Sequence, residues 1–194
     1  MYKRQALAAQ LCTKPTLIPQ ALLHYERGIC AEDAFSAHGK RAFIMSHVLD
    51  MTGAPIVLVS AVPVLRSMGY EVLVLGPSDG GSLHLFLDAG ASVITRSSCR
   101  NVSDAWGMAL CADFVIANTV VMARAVRALS GTAVPVLWWL HDAFAGYPHI
   151  AHQIPTQLGE NVRVYSVGSH AANAMRAVPV SYTHLRAHET AANL

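Results

Sequence analysis

From Arg41 onward, short apolar runs alternate with helix-patterned segments, several of them closed by glycine, and this alternation restricts the chain to one fold class. Apolar runs at 42–47, 71–75, 92–95, 114–117, 134–140 and 162–166 read as strands. Helices are expected at 55–68, 82–89, from just after Ser103 to about 112, at 119–129, 148–158, and from Ser169 to about 177. Gly69, Gly90 and Gly131 close three of them, and Pro63 should bend the first or end it early. Strands separated by helices imply a parallel sheet with right-handed crossovers. Apolar residues make up 53% of the chain and charged residues only 13%, which suits strands covered on both faces. The expected architecture is α/β, a Rossmann-like doubly wound parallel sheet over residues 41–178.

The 194 residues suffice for one domain with a substantial core. Residues 1–40 carry helix formers broken by Pro15 and Pro19 and read as a helical lead-in or linker. The stretch from Ser181 to Thr190 shows neither strand alternation nor a helical apolar face. It resembles translated sequencing-adaptor sequence, and Met1-Tyr2-Lys3-Arg4-Gln5 resembles the matching start. Natural sequence is therefore expected from about Ala6 to Pro179, with 1–5 and 179–194 foreign to the domain.

The formal net charge is +2, and no basic stretch with interleaved aromatics argues for nucleic acid. The longest apolar stretch, 54–65, holds Pro63 and is too short to cross a bilayer. No secretory signal is visible, and Cys12, Cys30, Cys99 and Cys111 lack CxxC spacing, so reduced structural thiols in a cytoplasmic protein are expected. Cysteine and histidine do not cluster at metal-ligand spacing, and no metal is expected.

In open α/β sheets the ligand crevice lies past the carboxyl ends of the strands, where the strand order reverses. Past the first strand stand His47 and the loop Thr52-Gly53-Ala54, with Pro55 opening a helix. A glycine there admits close approach, and the helix start offers N–H groups and a positive dipole end, a ready anion site. Past the fourth strand stands Asn118, past the fifth His141 and Asp142, past the sixth Gly168, Ser169 and His170. Polar residues thus gather on one rim. No GxGxxG, GxxxxGK[ST] or GxSxG motif occurs, which argues against a dinucleotide enzyme, a P-loop protein and a hydrolase elbow.

The segment Ser46-His47-Val48-Leu49-Asp50-Met51-Thr52-Gly53-Ala54-Pro55 resembles the first strand and loop of family-4-type glycosyltransferases of the GT-B fold. Met68-Gly69-Tyr70-Glu71-Val72 is similar to their second strand, and Ala117-Asn118-Thr119 and Trp138-Trp139-Leu140-His141-Asp142 to segments of one branch. The resemblance covers roughly residues 41–177 and implies an acceptor-side domain of a retaining nucleotide-sugar-dependent enzyme. It implies no metal or other cofactor, with the nucleotide sugar as donor substrate and a glycan or lipid-linked molecule as acceptor. A second, donor-binding domain would be missing from this chain, leaving it inactive alone. By the same resemblance Thr52, Gly53 and Ala54 meet the donor diphosphate, His141 and Asp142 serve the reacting sugar and acceptor, and Asn118, His47, Ser169 and His170 line the cleft. Peripheral membrane association stays open.

Blander readings stand beside these. Gly53 also fits a turn glycine, His141 a core histidine, and Asp142 a turn cap. Asn118 and Ser169 fit helix N-caps. Trp138 and Trp139 read as packing, and His149 and His152 as solvent-side or cleft residues. Two other functions share the architecture: a GT-B sugar-nucleotide enzyme of epimerase type, and a binding domain without catalysis.

Overall fold

The computed structural model describes residues 27–29, 39–95, 109–110, 112–143, 145, 147–178 and 185–187. In chain order the elements are β1 (Arg27–Ile29), β2 (Lys40–Met45), α1 (Gly53–Ser67), β3 (Tyr70–Gly76), α2 (Leu83–Asp88), β4 (Ser92–Thr95), β5 (Phe114–Asn118), α3 (Ala123–Leu129), β6 (Val136–Leu140), β7 (Val162–Ser166), α4 (Ser169–Arg176) and β8 (Leu185–Ala187). The strands pair in the order β1-β4-β3-β2-β5-β6-β7-β8. From β4 to β7 every pairing is parallel. The direction of growth reverses at β2, which pairs with β3 on one side and β5 on the other. That seam is the topological switch point of a doubly wound sheet.

Both faces of β2 to β4 and one face of β5 to β7 are buried, which explains the apolar runs. Ala42, Ile44, Val72, Val74, Val93 and Ile116 pack beneath Leu58 and Val62 of α1 and Phe86 of α2. Phe43, Met45, Ile94, Val115, Ala117 and Trp138 pack on the other face against Val126 and Leu129 of α3 and Met175 of α4. The glycines expected to close helices turn the chain with φ of 84° at Gly69, 89° at Gly90 and 80° at Gly131, a region costly for other residues.

Four expectations need correction. Pro63 does not end α1, which continues to Ser67. Its ring lies on the exposed face, where water can serve the carbonyl that loses its donor. The helix expected at 148–158 is only a 3-10 turn, Ala151–Gln153. Pro155 holds Ile154 extended (φ −68°, ψ 124°), so the turn cannot propagate. The segment starting at Thr119 begins as a 3-10 turn, Val120–Met122, before α3. Two edge strands were not anticipated: β1, within the presumed lead-in, pairs antiparallel with β4, and β8, within the adaptor-like tail, pairs parallel with β7. The expected helix after Ser103 lies largely outside the described residues, as do the four cysteines, His184 and His188.

Candidate functional site

Because β2, β5 and β6 are neighbours, their carboxyl ends bring His47, Asn118, His141 and Asp142 to one edge. His47 is close enough for its charge to act on both His141 and Asp142. Ser169 and His170 lie one strand further out, exposed in the first turn of α4. Gly168, not Ser169, is the N-cap there, without a side-chain cap.

Strand alternation divides the rim by face. Phe114 and Ile116 pack on the α1 side, so Asn118 belongs to that side; so do Leu137, Trp139 and then His141. The His141 ring lies 5.1 Å from the Trp139 ring, tilted by 47°. Burial first, and the nearby His47 second, push its pKa from the ordinary 6.5 down to about 4. The imidazole is therefore neutral at pH 7, and its buried Nε2 has no hydrogen-bond partner among the described residues. Asn118 is 0% exposed, and both atoms of its carboxamide are likewise unpartnered. Buried polar groups are ordinarily satisfied, and here two side chains with unpartnered atoms among the described residues stand on one side of one rim.

Asp142 turns to the opposite face. Its carboxylate accepts the Val120 N–H at 2.6 Å and so closes the start of the turn that leads into α3. Burial raises its pKa above the ordinary carboxylate value.

The start of α1 is different. The Thr52 N–H is spent, donating to Asp50 Oδ1 at 3.1 Å, and the Thr52 hydroxyl donates to the same oxygen. Those bonds hold the Asp50 carboxyl below its usual range. Thr52 makes no side-chain cap, so the Gly53 and Ala54 N–H groups open the helix uncapped. Gly53 is exposed, has no positive φ, and a Cβ added to it would meet nothing within 4 Å. Neither backbone torsion nor packing inside the chain requires glycine there.

The sequence matches the family model described as Glycosyl-transferase family 4 over residues 38–177. The chain belongs to glycosyltransferase family 4. No curated protein matches it. Among solved structures, it is similar to Anabaena Alr3699/HepE in complex with UDP and glucose, at 16% identity and a TM-score of 0.60, over 77% of this chain and 44% of that one. The same protein in complex with UDP-glucose gives 15% identity, a TM-score of 0.59, and coverage of 77% and 43%. This chain thus spans less than half the length of those structures.

Within this family 4 domain, two features escape sequence reasoning. Thr119 adopts φ 70°, ψ 166°, a strained conformation for a β-branched residue. It is held there because its N–H donates to Trp139 O and its carbonyl accepts from Trp138 Nε1, both at 2.8 Å. Nothing in the sequence signals this. The second feature did leave a trace, the glycine cluster Gly76, Gly80 and Gly81, which reads as a turn. Its glycines instead make room for the loop after β2. No group of three metal-ligand side chains occurs among the described residues, and no described helix is long and apolar enough to cross a membrane.

Proposed function

We propose that this domain is the acceptor-side half of a retaining, nucleotide-sugar-dependent glycosyltransferase. The observation that carries the reading is the uncapped start of α1 at Gly53 and Ala54, on the same rim as the unpartnered polar atoms of Asn118 and His141. The Gly53 and Ala54 N–H groups would receive the donor diphosphate, stabilising the charge that builds on it as the glycosyl bond breaks. His141, neutral and half-buried, would hydrogen-bond the sugar near the reacting carbon, and Asn118 would floor the same pocket. Asp142 would orient the acceptor side through the turn it closes, while His47, Ser169 and His170 would line the cleft. The charge of the diphosphate needs no resident metal in this scheme. That HepE has been solved with UDP and with UDP-glucose supports a nucleotide-sugar donor.

A groove of about 710 Å³ supports the view that a second domain completes the enzyme. It runs over β5, β6 and β7 on the α1 side, lined by Phe114, Leu137, Trp139, Tyr165 and Val167. Parallel strands are ordinarily covered on both faces, and among the described residues the α1-side face of β5 to β7 carries this groove.

Titration of the isotope-labelled chain with inorganic pyrophosphate, then with UDP-glucose, tests the reading by NMR. The Gly53 and Ala54 amides and the His141 ring should shift together. Amides of the α1 start that stay still at millimolar pyrophosphate overturn it.

A further inference from the structure

The loop from Ser46 to Thr52 carries His47 at one end and delivers α1 at the other. Its middle is exposed or half-buried except for Leu49, which is 2% exposed. Leu49 is seated on the turn after β3. A Cβ at Gly76 would lie 2.4 Å from Leu49 Cγ, and a Cβ at Gly80 would lie 2.1 Å from the Leu49 carbonyl oxygen. That oxygen also accepts the Ser82 N–H at 2.9 Å. Side chain and backbone of one residue are therefore both gripped by the neighbouring turn. At the near end of the loop, the Ser46 N–H reaches Leu75 O at 2.8 Å and its hydroxyl donates to Val48 O at 2.6 Å. Beyond Leu49 the chain is exposed from Asp50 to Gly53.

We propose that Leu49, in the seat left by Gly76 and Gly80, is the positioning residue of the rim, fixing where the α1 start stands relative to His47 and His141. The proposal rests on the reading of that start as a diphosphate site. A substrate group held by two backbone N–H groups and a histidine from another strand needs their spacing fixed, and a shift of about 1 Å in such a site can cost up to about a hundredfold. The contact between Gly80 and Leu49 is backbone on backbone, so no side-chain rotation can absorb a methyl group there.

The test compares Leu49→Ala, Gly80→Ala, Leu49→Met and, as a control on the other sheet face, Leu129→Ala. Each is assayed in the 194-residue chain for melting temperature, pyrophosphate affinity and the ring resonances of His47 and His141. Leu49→Ala and Gly80→Ala should each weaken pyrophosphate roughly tenfold or more and shift both rings. Leu49→Met, which conserves volume, should restore affinity to within about twofold. Leu129→Ala should melt lower yet keep affinity and rings. If Leu49→Ala does not fold, Gly80→Ala decides. Wild-type affinity and unmoved rings in Gly80→Ala overturn the proposal. A wild-type chain that ignores pyrophosphate, while both rings move in Leu49→Ala, overturns the diphosphate reading and leaves the mechanical link between seat and rim standing.

Discussion

Two helical segments begin at the same edge of the sheet, one after β2 and one after β5, and they have been finished in opposite ways. At the second, the protein supplies its own anion: the half-buried Asp142 carboxylate lies on the N–H of the buried Val120. At the first, Asp50 satisfies only Thr52 and stops short, leaving Gly53 and Ala54 without a cap. A carboxylate at a helix start is a stabilising device, and here it comes from the residue just past the neighbouring strand β6. α2, α3 and α4 also begin without a side-chain cap, and α1 adds an exposed Gly53 with open space around it. The contrast is one support for the proposal that the α1 start receives the diphosphate.

The contrast can be broken experimentally. Asp142→Ala should destabilise the domain by about 1–3 kcal/mol in denaturant unfolding, since the Val120 N–H is then buried without an acceptor. A neutral result would mean that Asp142 does not close the second start after all. Gly53→Val should leave stability within about 0.5 kcal/mol, because position 53 is exposed and a Cβ there meets nothing within 4 Å, while pyrophosphate affinity by NMR falls roughly tenfold through bulk at the open start.

Acidification should sharpen the picture at His141. The folded ring takes its proton only near pH 4, whereas the unfolded ring takes it near 6.5. Between those values the unfolded chain binds more protons, so this group's contribution to stability falls as pH falls through that window; the full shift corresponds to about 3 kcal/mol, and solvent screening of the half-buried ring brings it down to on the order of 1 kcal/mol. Asp142, with its pKa raised, contributes with the opposite sign just above its ordinary 3.8. The difference between wild type and His141→Phe in chemical denaturation across pH 4–6.5 isolates the histidine; identical pH slopes would refute its burial. The smallest effect is expected from Asp50→Asn. Removing an exposed negative charge beside the open start should strengthen pyrophosphate binding about twofold at low salt, and 0.5 M salt should erase the gain.

The six parallel strands were legible because burial on both faces writes an unbroken apolar signal into each, as in Val72 to Leu75 or Val162 to Val164. The rim residues were legible too, because topology alone places the ends of such strands together. Their division of labour was not. Asp142 and Val120 are 22 positions apart, and only strand pairing reveals that one caps the other. Thr119 has an ordinary side chain, and its strain is imposed by the two tryptophans of the neighbouring strand. The failed helix at 148–158 shows the reverse error: its residues favour helix, but Pro155 and the seating of Tyr147 and Ile154 in the core hold the segment as turns. Three-residue edge strands such as β1 and β8 carry too little pattern to be read without their partners.

The hydrogen bond from the Trp138 indole to the Thr119 carbonyl has a practical consequence. It ties a fully enclosed fluorophore to the strained Thr119 peptide at the carboxyl end of β5. An event that relaxes that peptide would free the indole, so the Trp138 emission gives an optical gauge of how β5 and β6 meet at the rim.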